Sequence, residues 1–145
     1  MLIIKIMMSK ILGIDYGKVI TGLSITDNKQ IFAFGLDSIR TKKLMNFLES
    51  FLDYEKIDKI VIGLPKKLND KEETLIEKDI QIFINKFSIK YPRIIIERLD
   101  ERFTSKIAFN VMIESGLRKK RRKKVILDKI SATIILQSYL KKNNK

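Results

Sequence analysis

The stretch Lys10–Gly22, KILGIDYGKVITG, decides how this chain is read. Ile11–Ile14 is a short apolar strand that ends on Asp15, and Tyr16-Gly17 follow at once. An ionised acid closing an apolar strand is costly to desolvate unless positive charge meets it. Gly17 and Gly22 permit a tight turn and a close approach of backbone to a ligand. Two readings follow. Either Asp15 holds a metal ion on which later parts of the chain converge, or it only opens an Asp-x-Gly turn.

Outward from that stretch, Thr21–Thr26 alternates as a second strand, and the turn residues Asp27–Gln30 lead to a third over Ile31–Leu36. Together they predict an antiparallel meander. The period then changes. Leu44, Phe47, Leu48, Phe51 and Leu52 mark a helix over 41–54. Lys59–Leu64, KIVIGL, is a continuous apolar run suited to a buried parallel strand, and Pro65 stops it. A helix over 72–87 carries Ile76, Ile80, Phe83 and Phe87 on one stripe. Ile94–Ile96 opens a last strand that leads into Asp100-Glu101-Arg102. Thr104 caps a further helix over 105–115, and the final helix is expected over 127–140. Strand–helix–strand order demands right-handed crossovers and helices against the sheet. The expected fold is α/β: a five-stranded mixed sheet, three antiparallel strands and then parallel ones, flanked by helices.

The 145 residues suit one domain spanning 1–145, with 1–9 (MLIIKIMM and Ser9) as an N-terminal extension or a shifted start at Met8. Arg118–Lys124 is seven bases in a row, so 117–126 is expected to be a mobile basic loop, and 141–145 a frayed tail. The net charge is +13, which points to a polyanion, nucleic acid before a membrane surface. No apolar run is long enough to span a bilayer, so a cytoplasmic protein is expected. There is neither Cys nor His. That removes disulfides, thiol nucleophiles, histidine bases and the usual zinc sites. Chemistry must rest on carboxylates, hydroxyls, Lys, Arg or a hard, oxygen-loving metal.

Acids recur where apolar or small residues are expected. Asp15 ends the first strand, Asp100 and Glu101 end the last, and Asp128 opens the final helix. From Asp128 the stripe continues through Ala132, Ile135 and Tyr139, so the acid faces the sheet. Taken alone, Asp128 also reads as a first-turn acid favoured by the helix dipole. Ligands of open α/β sheets sit beyond the carboxyl ends of the strands, where Asp15, Glu101 and Asp128 could meet. Three gathered carboxylates repel unless cations sit among them, and without His the occupant would be Mg²⁺ or Mn²⁺. Two such ions clamp a phosphodiester and activate water against it. Neighbouring strand residues face opposite ways, which favours Glu101 as inner ligand with Asp100 second. Lys18, Arg102 and Thr104 are placed to contact phosphate. The bases Arg118, Lys119, Lys120, Arg121 and Arg122 would collect a nucleic-acid backbone. A solvated surface role is the plain alternative for each base.

These pieces together resemble the YqgF/RuvX family of RNase H-like nucleases. The likeness runs from Lys10 to Leu140: GIDYG with Asp15, TGLSITD ending at Asp27, IGLP at Ile62–Pro65, LDERFTS at Leu99–Ser105, and D-x-x-S-A with IILQSYL from Asp128. The resemblance implies an RNase H-like fold and an active site of Asp15, the Asp100/Glu101 pair and Asp128. It also implies nuclease activity, on the 5′ end of pre-16S ribosomal RNA or on Holliday junctions. The chain departs from the family's pattern at Val19–Thr21 and in the loop Lys66–Asp70, which bears on substrate contacts. The leading expectation is a metal-dependent endonuclease maturing precursor ribosomal RNA. Its partner would be the small-subunit precursor, and it would be a monomer or weak homodimer. A junction resolvase and a non-catalytic RNA-binding assembly factor are the alternatives. A phosphotransferase of the actin type would need two such halves.

Overall fold

A computed structural model of the protein describes residues 9–65, 71–100 and 120–143. The elements are β1 (Lys10–Asp15), β2 (Ile20–Thr26), β3 (Ala33–Arg40), a 3₁₀ turn (Thr41–Lys43), α1 (Leu44–Tyr54), β4 (Ile57–Leu64), α2 (Lys71–Lys90), β5 (Ile95–Asp100) and α3 (Lys120–Asn143). The expected helix over 105–115 lies outside the described residues. The strands form one sheet in the order β3-β2-β1-β4-β5. β1 pairs antiparallel with β2 and β2 with β3, whereas β1–β4 and β4–β5 are parallel. This is the mixed sheet expected from the sequence.

Alternation along β1 divides the core in two. Leu12 and Ile14 point to the face covered by α1 and α2, where Leu44, Leu48, Phe51, Ile80, Phe83 and Phe87 close a large apolar cluster. Ile11 points to the other face and packs with Val61, Leu99, Ile135, Leu136 and Tyr139 under α3. The central strands β1 and β4 are buried on both sides, which explains why they read as unbroken apolar runs. Among the described residues no helix is long and apolar enough to cross a membrane.

Several boundaries differ from expectation. β3 starts at Ala33 rather than Ile31, because the Asp27 carboxylate accepts the backbone N–H groups of Ile31 (2.8 Å) and Phe32 (2.7 Å) and holds them in the turn. Gly22 lies within β2, opposite Asp15, and takes no part in the turn. The largest correction concerns the basic run. Its residues Lys120–Lys124 are helical, so the expected mobile loop over 117–126 gives way to helix from Lys120 onward. Lys and Arg are good helix formers, and extending a helix already nucleated on the sheet adds one hydrogen bond per residue. The expected frayed tail is likewise helical through Asn143, where Lys141 and Lys142 complement the carboxyl end of the helix.

Candidate active site at the carboxyl end of the sheet

The seat of α3 on the sheet is fixed at Gly13. A side chain there would collide with the Ser24 hydroxyl and come within 3.2 Å of the Ala132 carbonyl oxygen and of Leu136 Cβ. The missing side chain lets the helix backbone approach β1 closely. The buried Ser24 hydroxyl donates to the Ala132 carbonyl at 2.6 Å, joining residues 108 positions apart. Two turns further along the helix, Lys59 Nζ donates to the Tyr139 hydroxyl at 2.7 Å and lies 3.4 Å from Glu97. The Tyr139 bond, foremost, raises the Lys59 ammonium above its ordinary value, and the nearby Glu97 adds to it. α3 is thereby held to the sheet at two points.

These contacts also give the direction of α3. Gly13 meets Ala132 and Leu136, while Ile11 belongs to the cluster of Ile135, Leu136, Tyr139 and Leu140. Helix numbers rise as strand numbers fall, so α3 runs antiparallel to β1. Asp15 stands two residues beyond Gly13, about 6.6 Å along the strand. Asp128 stands four residues before Ala132, about 6 Å along the helix. The Gly13 contact also includes Leu136, so the backbone of Asp128 lies toward the Asp15 end of β1, within about one helical turn of its level. The remaining eight residues back to Lys120 carry the helix about 12 Å beyond Asp128. Asp128 is also well beyond the first turn of the helix, which removes the helix-dipole explanation for it.

Asp15 itself is half-buried, ends β1 on the α3 face, and pairs with Gly22. The cross-strand partner, Gly22, contributes no side chain beside it. The turn that follows is pinned. Thr41 Oγ1 donates to the Gly17 carbonyl at 2.7 Å and lies 2.7 Å from Thr21 Oγ1, and Thr41 N–H donates to the Val19 carbonyl at 2.8 Å. Gly17 admits no side chain, because a Cβ would strike the Ile20 carbonyl oxygen. Lys18 is exposed on this pinned turn.

Asp100 ends β5, is exposed, and lies beside Leu64 two strands from Asp15, roughly 10 Å at the usual strand spacing. Its position shares the face of Arg98, which reaches α2, and the alternate positions Glu97 and Leu99 share the face of Asp15. Asp100 and Asp15 therefore leave the sheet on opposite faces. Glu101, Arg102, Thr104, Arg118 and Lys119 lie outside the described residues. Lys120, Arg121 and Arg122 form the first turn of α3. Among the described residues no three Asp or Glu side chains are gathered as a metal cluster. The donors in question are all carboxylate oxygens, which is the chemistry a hard divalent cation takes. Sequence reasoning misses Ser24, Gly13 and Thr41. Nothing local marks them, since each acts through a partner distant along the chain.

Arg98 braces the same end of the sheet from below. Its guanidinium makes a two-pronged contact with Glu77 on α2 at 2.7 and 2.9 Å, and donates to the carbonyls of Ile62 and Gly63 at 3.2 Å each. These hydrogen bonds from Arg98 hold the Glu77 carboxyl below the usual range.

Residues 9–142 match the RuvX family, described as Holliday junction resolvase. A relative from Flavobacterium psychrophilum, named "Putative pre-16S rRNA nuclease", is 48% identical over 137 residues, covering 92% of this chain and 97% of its own. One of the same name from Karelsulcia muelleri is 51% identical over 138 residues, covering 92% and 99%. Among solved structures, T. thermophilus RuvC in complex with a Holliday junction substrate superposes with a TM-score of 0.58 at 12% identity, covering 93% of this chain and 96% of that one. At that identity the likeness speaks for the fold, which is RNase H-like. The match over nearly its whole length establishes that the chain belongs to the RuvX family of nucleases.

Proposed function

We propose that the protein is a divalent-metal-dependent endonuclease that hydrolyses phosphodiesters during 5′-end maturation of pre-16S ribosomal RNA. The observation that supports this reading is the antiparallel seating of α3 on β1, which turns the Asp128 end of the helix toward the Asp15 end of the strand. That packing brings two acids 113 positions apart in sequence toward the same end of an apolar sheet, which supports a shared cation between them. Asp15, Glu101 and Asp128 would hold the metal, and Asp100 would stand just outside them. A bound Mg²⁺ or Mn²⁺ supplies an activated water and neutralises charge on the phosphate. The chain's own part is to hold the carboxylates ionised, to keep the pinned turn with Lys18 beside the phosphate, and to draw the polyanion in. For the last task, Arg118–Arg122 lead into the projecting end of α3, and Arg102 and Thr104 follow the acidic pair.

The names of the relatives support pre-16S ribosomal RNA as the substrate. On this reading the enzyme would work in the cytoplasm, on the small-subunit precursor. The family's own description favours branched DNA as a second reading. Purified protein, given precursor RNA and a four-way DNA junction side by side, is expected to cut the RNA with Mg²⁺ or Mn²⁺ and to stop on chelation. Asp15→Asn is expected to lower the rate by about three orders of magnitude, the scale on which charge-stabilising active-site groups act. A variant that cuts like the parent would overturn the mechanism, and cutting of the junction alone would overturn the substrate.

A further inference from the structure

Asp15 and Tyr16 are consecutive at the end of β1, so alternation sends them to opposite faces. On the Tyr16 side, between the 3₁₀ turn and α2, lies an open cavity of about 190 Å³. Its wall is apolar and partly aromatic. The Tyr16 ring sits 6.1 Å from Phe83, and Ile82 beside them is 53% exposed. Its rim is polar, with Lys42 and Lys86 on either side and Asp79 between α2 turns. Among the described residues neither lysine takes part in an ion pair. Arg40, Lys43 and Lys18 are exposed close by in the chain.

We infer that this cavity is a nucleotide subsite, taking one unpaired base of the nucleic-acid strand against Tyr16 and Ile82 and its phosphate on Lys42 and Lys86. The volume is several times the roughly 30 Å³ of a water molecule, room for a planar heterocycle. Aromatic and apolar walls are what an unstacked base lies against, and spare ammonium groups are what its phosphate needs. Asp79, an acceptor, suits a base that carries an exocyclic amino group, and this argues against a bare anion as occupant. The subsite adjoins the proposed cleavage site across a single residue, since Tyr16 follows Asp15. A strand crossing the end of β1 would thus present a phosphate to one face and a neighbouring base to the other. Thr41 serves both, because it lines the cavity and pins the turn.

The inference rests on the reading of the protein as a nucleic-acid enzyme, but its test does not need cleavage. Single-stranded RNA of about 16 nucleotides, the upper site size of small binding folds, is made with one abasic position moved along its length. Binding is followed by fluorescence anisotropy in the presence of chelator. The parent is expected to lose roughly tenfold in affinity when the abasic position enters the cavity, and little at other positions. In Lys42→Ala/Lys86→Ala overall binding should fall, and in Ile82→Asp the abasic penalty should disappear. All three side chains are exposed, and a circular-dichroism spectrum matching the parent's shows that each variant folds. A flat abasic profile in the parent overturns the subsite, as does a penalty that persists unchanged in Ile82→Asp. Failure of Asp15→Asn to abolish cleavage would instead overturn the nuclease reading and leave these binding profiles as they are.

Discussion

At the scale of single residues, the contact of Gly13, Ser24 and Ala132 does the most to set the site. A methyl at Gly13 has nowhere to go, so Gly13→Ala is expected to destabilise the fold by about 1–3 kcal/mol, the usual range for overpacking. Ser24→Ala alone loses one buried hydrogen bond, about 1 kcal/mol. Because the Ser24 hydroxyl is the atom the new methyl would strike, the double variant should cost less than the sum. Denaturant midpoints of the four proteins check this, and strict additivity would show that the two residues do not meet as described. Asp15 could be singled out from the sequence because an acid at the end of an apolar strand breaks a local rule. Ser24 could not, because a serine in an alternating strand breaks none. Its significance comes from a helix 108 residues away.

At the scale of elements, the Arg98–Glu77 pair locks α2 to the carboxyl ends of β4 and β5. Its partners are about one-fifth exposed, 20% and 21% of their side chains. Loss of Arg98 leaves the half-buried Glu77 carboxylate with Gln81 as its remaining side-chain donor at 2.7 Å, and takes a donor from two carbonyls. Arg98→Leu is expected to cost roughly 2–3 kcal/mol, less than a fully buried pair would. The pH dependence has a definite sign. Glu77 has a lowered folded-state value, so the unfolded chain binds the proton more readily. The stabilisation is complete above the ordinary value of 4.5 and is lost as pH falls through the depressed one. Thermal unfolding of the parent should therefore weaken below that point, and the acid limb of Arg98→Leu should be shallower. An identical acid limb in both would remove Glu77 from the account. The strands and the first two helices were legible in period and punctuation, since each buries a face of its own. The start of α3 was not. Seven bases read as a loop when only their mutual repulsion is weighed, and the anchored helix behind them is visible only once packed.

At the scale of the whole molecule, the net charge of +13 and the basic first turn of α3 govern how a polyanion is met. The logarithm of affinity for single-stranded RNA should fall linearly with the logarithm of salt concentration. Replacing Lys120, Arg121 and Arg122 by Ala should flatten that slope by roughly 0.7 for each phosphate that the variant leaves unneutralised. An unchanged slope would place the phosphate-binding bases elsewhere. The mixed sheet could be argued from the order of elements, and the RNase H-like fold from the family resemblance, but the direction of α3 relative to β1 could not. It follows from which side chains meet.

The bond between Ser24 and Ala132 also bears on how the protein comes into being. The ribosome makes Asp15 more than 100 residues before the helix that faces the same side of the sheet. On the proposed mechanism, a chain halted before that helix would lack Asp128, whatever the sheet had managed to form. Chemistry that needed both acids would then be withheld from unfinished copies, and synthesis itself would act as the safety catch.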